Sequence, residues 1–130
     1  MKALLLAMLG LASASTTAKD SFDQRVSTAS KLEETPQGQA YDKVLYGAIG
    51  NDVQKAMVLC FPKGTKADTG RFTLVATLLS NGSASDIEVR PATKMAKCFA
   101  AKFAAAPFPA LPAYASEDGL PIFMDMQITP

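Results

Sequence analysis

Residues 71–90, RFTLVATLLSNGSASDIEVR, decide the fold because they read as two strands joined by a tight turn. Apolar side chains occupy every second position of the first half: Phe72, Leu74, Ala76 and Leu78. This two-residue period predicts a strand with one buried face. Asn81-Gly82 is a strong hairpin signal, since both residues tolerate a positive φ. The returning strand, residues 84–90, then directs Ile87 and Val89 to the core.

A helix is predicted on each side of this hairpin. Before it, an N-cap at Asn51 or Asp52 opens a run that ends ahead of Pro62 and Gly64. After Pro91 the spacing becomes helical, with an apolar stripe along one face. The stripe comprises Met95, Phe99 and Phe103, with Cys98 at its edge.

A third strand is predicted at the end of the chain. The prolines of PFPALP, residues 107–112, exclude a helix or a central strand there. Residues 120–129 then alternate, with Leu120, Ile122, Met124, Met126 and Ile128 on one face. The expected fold is an α+β two-layer sandwich in the order helix-strand-strand-helix-strand. Two helices cover one face of a three-stranded antiparallel sheet.

The N-terminal sequence predicts export. Residues 1–18, MKALLLAMLGLASASTTA, place a lysine before a short apolar run and small residues, as a cleaved secretory signal does. The apolar run is too short for a transmembrane anchor. Residues 19–40 are polar and are expected to form a loosely ordered extension that includes a frayed helix between Ser21 and Leu32. Residues 41–130 are expected to form the folded domain.

The two cysteines, Cys60 and Cys98, are expected to form a disulfide. They are the only cysteines, and they lie in a chain with an export signal. Two buried thiols are the alternative. The expected location is the periplasm or the extracellular medium, and a disulfide here ties the two predicted helices together.

Composition restricts the function. The chain has 130 residues, 48% of them apolar, which suits one packed domain. A net charge of +1 argues against nucleic-acid binding by bulk charge, and the lack of histidine removes Ser/His and Cys/His catalytic pairs. Asp86 and Glu88 read as an ordinary polar face of a strand. A non-catalytic protein without metal or cofactor is therefore expected.

From residue 51 to residue 129 the chain resembles the C-terminal domain of TonB-type energy transducers and the related AgmX/PglI C-terminal type. The resemblance lies in the order of elements, in FTLVATLL, NG and DIEVRP, in the two cysteine-bearing helices and in the FPALP run. It implies the same α+β fold and a protein-binding function. A cleavable signal and a short N-terminal segment depart from a membrane-anchored transducer, so the resemblance does not imply energy transduction.

The leading functional expectation is a soluble, exported adaptor that binds an envelope protein or peptide through an exposed sheet edge. The candidate edge lies on the last predicted strand, at Phe123, Asp125, Gln127 and Thr129. Homodimerisation through the same edge is equally compatible with the pattern. The alternative from another class is an inhibitor or immunity-type protein that blocks an envelope-acting toxin or hydrolase.

Overall fold

The structure, a computed structural model, describes residues 20–68 and 70–128, so the predicted signal at residues 1–18 lies outside the described residues. Three helices and three strands follow one another as α1 (Phe22–Glu33), α2 (Pro36–Cys60), β1 (Arg71–Leu78), β2 (Ala84–Arg90), α3 (Lys94–Ala104) and β3 (Leu120–Gln127). The predicted α+β class and the order helix-strand-strand-helix-strand are confirmed for α2 to β3. Within the described ranges, no helix has the length and apolarity needed to cross a membrane.

The sheet is antiparallel, with the strand order β2-β1-β3. Its predicted alternation is confirmed, since the even-numbered positions from Phe72 to Leu78 are all buried. In β3, Leu120, Ile122 and Met124 are buried on the same side. The central position of β1 follows from the chain order, because the hairpin places β2 on one side and β3 returns on the other.

Helices α2 and α3 cover one face of the sheet, as predicted. A row of phenylalanines fills the space between these layers, with successive ring centroids 5.1–6.3 Å apart. The row comprises Phe61, Phe72, Phe99, Phe103 and Phe108. Phe108 comes from the proline-rich run, so this run closes the core although it forms neither helix nor strand. Such aromatic contacts add to the free energy gained from burial.

The Cys60–Cys98 disulfide is present and joins α2 to α3, with the two Cα atoms 5.7 Å apart. Cys60 is the last residue of α2 and is buried, whereas Cys98 lies in the middle of α3 at the edge of the core. The bond therefore links two helices that the core already packs together.

The prediction of a loosely ordered extension over residues 19–40 is wrong. Residues 22–33 form helix α1, which Ser21 begins with a capping box that includes Gln24. Such a box satisfies two helix-terminal backbone groups at once. Ala29 is fully buried and packs α1 against the second face of the sheet, where Val75 is 1% exposed. A third layer thus adds to the two that were predicted.

Helix α2 also begins earlier than predicted, so the domain does not start at residue 41. It is continuous from Pro36 to Cys60, and the proposed N-cap at Asn51 or Asp52 lies inside it. Thr35 is the actual N-cap, and its side chain accepts a hydrogen bond from the Gly38 backbone N–H at 3.0 Å. Pro36 begins the helix rather than ending the preceding segment, because the first helical position needs no N–H donor.

The hairpin forms at the predicted place with a longer loop. Leu79 N–H bonds the Ser83 carbonyl at 2.8 Å, which leaves a three-residue loop in which Gly82 has φ +83°. The Asn81 side chain stabilises this loop by accepting hydrogen bonds from the Ser83 backbone N–H and hydroxyl. Further along β2 the register shifts opposite β1, and Asp86 adopts φ +51° there.

Candidate functional site: the two edges of the sheet

Both outer strands of the sheet have a side that no strand of the described residues covers, and the predicted edge residues lie on one of these strands. Phe123, Asp125 and Gln127 belong to β3, whereas Thr129 lies outside the described residues. Ile128 N–H bonds the Gly70 carbonyl at 2.9 Å in the same register as β3 and β1. By the alternation of an antiparallel ladder, the backbone groups of the three described residues point away from β1.

The β3 edge is partly closed by α1. The Phe123 backbone N–H donates a hydrogen bond to the Glu33 carboxylate at the C-terminal end of α1. Pro121, two residues earlier, has no N–H to offer. The outward donors that remain on β3 are those of Asp125 and Gln127. This edge therefore offers a short stretch for pairing.

Asp125 is engaged through its side chain on the α1 face of the sheet. It accepts a hydrogen bond from the Thr73 hydroxyl on β1 and lies 3.9 Å from the Arg71 guanidinium. Both contacts bridge β1 and β3, so Asp125 stabilises the register of these strands. These side-chain contacts leave the backbone groups of Asp125 facing outward.

Glu33 is the centre of a group of acidic and phenolic side chains where α1 meets α2. Burial and, next, the nearby Asp42 carboxylate together raise its pKa from 4.5 to about 7, against the opposing hydrogen bond from Phe123. Burial also raises the pKa of Tyr46, with a further contribution from Glu33. Chemically, this arrangement holds a proton on a carboxyl near neutral pH. Within the described ranges, no three His, Cys, Asp or Glu side chains come together to hold a metal ion.

The β2 edge is the second candidate, and it was not predicted from the sequence. Residues Glu88 and Arg90 pair with β1, so the backbone groups of Ile87 and Val89 face away from the sheet. A groove of about 600 Å³ runs beside these groups and ends against α3. It is lined by Ile87, Glu88, Val89, Arg90, Ala92, Lys97 and Ala100.

The charges around this groove are predominantly basic. Glu88 is the acidic lining residue, and it lies 2.8 Å from Arg90 and 3.7 Å from Arg25 of α1. Lys97 is exposed, and its side chain has no ion pair or hydrogen bond with the described residues. Sequence alone could predict that Lys97 is exposed on a helix. It could not place that helix beside β2, which depends on the packing of Phe99 and Phe103.

The β2 groove has defined ends. At one end, the Arg25 guanidinium donates a hydrogen bond of 2.6 Å to the Asp86 carbonyl. At the other end Pro91 follows the strand. Between them, Ile87 and Val89 are the residues whose backbone groups face away from β1, and Val89 is only 5% exposed. The Asp86 carbonyl and the Glu88 carboxylate thus both contact arginine side chains.

The exposed large hydrophobic residues of the described chain all lie on α2. Val58 and Leu59 are more than 60% exposed near its C-terminal end, and Val44 and Tyr46 are about half exposed. At about 100° per residue, Val58 lies about 140° around α2 from the core-facing Leu45, and Val44 lies about 100° from it. Homodimerisation, which was expected at the sheet edge, stays a prediction.

Comparison with known proteins adds no relative: no family model matches the chain, and neither the curated proteins nor the solved structures contain a significant match.

Proposed function

We propose that this chain is an exported, non-catalytic protein-binding module that adds an extended segment of an envelope protein to its sheet as a further strand. The observation that carries this proposal is the strand order β2-β1-β3, which leaves outward-facing backbone donors and acceptors on both outer strands. Unpaired backbone groups along an edge are the physical basis of recognition by strand addition. The resemblance to TonB-type C-terminal domains agrees with a protein-binding role.

The disulfide supports the proposed location in the periplasm or outside the cell. Cys60–Cys98 is formed in a chain whose first residues read as a secretory signal. Disulfides persist in oxidising compartments and are rare in the cytosol. Removal of residues 1–18 by cleavage leaves α1 intact, because α1 begins at Phe22.

The test uses a displayed library of linear ten-residue peptides, selected against the disulfide-bonded protein. We expect selected peptides to protect backbone amides of one sheet edge from hydrogen exchange, either Ile87 and Val89 or Asp125 and Gln127. A control peptide carries N-methyl groups on alternate residues, which removes ladder donors and keeps the side chains. Methylation on one of the two alternating sets should weaken binding at least tenfold.

The proposal fails if no peptide is selected, or if the selected peptides bind without protecting either edge. It also fails if N-methylation of both alternating sets leaves the affinity unchanged, because strand addition requires the backbone donors of one set.

A further inference from the structure

We infer that the acidic and phenolic side chains where α1 meets α2 bind an ammonium group, and that a lysine of the partner segment supplies it. These side chains, the acidic cluster, belong to Glu33, Asp42, Tyr46 and Tyr114. The inference rests on the proposed function, because it specifies a side chain of the segment that pairs with the β3 edge. It depends on the geometry of the cluster, on its unbalanced charge and on a buried hydroxyl beside it.

The geometry follows from the way α1 ends against α2. Gly38, Asp42 and Tyr46 follow one another at four-residue spacing, so they form a row along α2. The end of α1 passes directly over the first member of this row, since a Cβ added at Gly38 would lie 2.9 Å from the Glu33 Cα atom. Glu33 thus lies beside the row, while its carboxylate accepts the Phe123 N–H of β3.

The two carboxylates of the cluster carry unbalanced negative charge. Both residues are half-buried, and neither forms an ion pair with a described lysine or arginine. Lys43, next to Asp42 in the chain, is exposed and lies about 100° around α2 from it. Burial and the Asp42 carboxylate raise the pKa of Glu33 to about 7, so the cluster takes up a proton where another cation would also be stabilised.

A buried hydroxyl beside the cluster has no partner among the described residues. Tyr41 is 6% exposed, and its hydroxyl makes no hydrogen bond there. Burial raises the pKa of Tyr41, and the neighbouring Tyr114 raises it as well. Tyr114 in turn lies close to Asp42 and Glu33, which raise its pKa in addition to burial. Since buried polar groups normally have a partner, this interior is one polar group short.

An ammonium group has the charge and the donors that the acidic cluster needs. It carries three hydrogen-bond donors, which match carboxylate and phenol oxygens. The faces of phenol rings attract a cation as well. A divalent metal suits the cluster less well, because calcium and magnesium take about six or more oxygen ligands and the cluster offers two carboxylates.

The β3 edge brings the partner segment to the cluster. Glu33 accepts the Phe123 N–H, and Asp125 lies two residues, or about 7 Å, further along the strand. A segment that pairs with the outward groups of Asp125 and Gln127 therefore reaches Glu33 at one end. A lysine at that end places its ammonium group in the acidic cluster.

The first experiment tests the cluster by itself, with n-butylammonium chloride compared with sodium chloride at the same ionic strength. NMR titration of the whole protein measures the pKa of the Glu33 carboxyl. We expect n-butylammonium to lower this pKa, because a bound cation stabilises the carboxylate, and to do so less in Asp42→Asn. Glu34→Gln, at an exposed neighbouring position, should respond like the parent. An unchanged pKa in the parent, or an equal decrease in Asp42→Asn, overturns the ammonium site.

The second experiment tests the lysine, with the peptides selected for the proposed function. We expect these peptides to contain a lysine, and norleucine in its place should weaken binding about tenfold or more. Affinity should rise from about pH 5.5 to about pH 8, because Glu33 loses its proton while lysine stays charged, and Glu33→Gln should remove most of this rise. Asp42 and Asp125 are the other carboxyls that act on Glu33, and burial raises the pKa of Tyr46 and Tyr114 above its usual value, outside this range.

Hydrogen exchange on the peptide complexes distinguishes the possible failures. Protection of the Asp125 and Gln127 amides supports the inference. Protection of Ile87 and Val89 instead, or an unchanged affinity of the norleucine peptide, overturns the role of the lysine and leaves the proposed function standing. Protection at neither edge overturns that role and the proposed function together, and the pKa of Glu33 in n-butylammonium then decides the ammonium site by itself.

Discussion

At the scale of single residues, Glu33 links the ionisation of the protein to the packing of α1. Its carboxylate receives the Phe123 N–H, and burial together with Asp42 opposes its charge. Burial raises the pKa of the carboxyl from 4.5 to about 7, so the folded protein binds this proton more tightly than the unfolded chain does. The free energy of unfolding therefore falls as the pH rises from about 4.5 to about 7.

The first prediction is that Glu33→Gln removes this pH dependence. Glutamine keeps an oxygen that accepts the Phe123 N–H and carries no charge. The variant should be more stable than the parent at about pH 8, by about 1 kcal/mol because solvent partly screens the carboxyl, with the gain vanishing near pH 4. Urea unfolding at several pH values measures the difference. Glu34→Gln, at an exposed neighbouring position, should show no such trend, and an equal gain at every pH would contradict the mechanism.

Residue-level features were predictable from sequence where the cause is local or the pairing is forced. Cys60 and Cys98 could be paired because the chain has no other cysteine. The role of Glu33 could not be predicted, since its partner Phe123 lies at the far end of the chain and only α1 packing brings them together. The groove beside Lys97 could not be predicted either, because only the packing of α3 brings Lys97 beside β2.

At the scale of secondary structure, α2 shows how differently two glycines of one helix are used. At Gly38, an added Cβ would lie 1.9 Å from the Leu32 carbonyl oxygen, because the α1–α2 connection passes directly over it. At Gly47, an added Cβ would have no neighbour within 4 Å. The first glycine permits a close approach, and the second only lowers the helical propensity of α2.

The second prediction follows from this difference. Gly38→Ala should destabilise the protein by about 2 kcal/mol or more, because the backbone of α1 has to move. Gly47→Ala should stabilise it by about 0.5–1 kcal/mol, because alanine lowers the entropy cost of forming the helix. Thermal and urea unfolding of the two variants provide the measurement. A loss of stability for Gly47→Ala would indicate that this face of α2 is covered in solution.

The N-terminal ends of α1 and α2 contain capping residues that are typical of helix starts. Ser21 and Gln24 form a capping box, and Thr35 followed by Pro36 is typical of a helix start. The low apolar content of residues 19–40 nevertheless led to the prediction of a loosely ordered extension. A helix at the surface needs only a few buried residues, such as Ala29, to pack against the sheet. The strands could be predicted from the sequence because an unbroken two-residue period of apolar side chains is compatible with few structures other than a strand.

At the scale of the whole molecule, helices cover both faces of the sheet, but the contacts that hold them there differ between the two faces. On one side, α2 and α3 bury the phenylalanine row, and the disulfide joins them. On the other side, α1 crosses from β2 to β3, with Ala29 of α1 and Val75 of β1 buried and with polar contacts at both ends, where Arg25 contacts β2 and Glu33 contacts β3. Periodicity predicted the first side because its residues are apolar and regularly spaced. The second side depends on few apolar residues and could not be predicted from pattern.

The last prediction concerns how much the covalent link adds to this packing. Cys60 and Cys98 are separated by 38 positions, and a loop of this size lowers the entropy of the unfolded chain by an amount worth about 3–4 kcal/mol. The Cys60→Ala/Cys98→Ala double variant should lose about that much stability and gain a steeper urea dependence, because its unfolded chain is less compact. Urea unfolding of both proteins gives both quantities. Mass spectrometry of the native protein without reductant should show the two cysteine peptides crosslinked. Two alkylatable thiols in the native protein would contradict the link, and an unchanged stability would mean that the phenylalanine row alone fixes α3 beside β2.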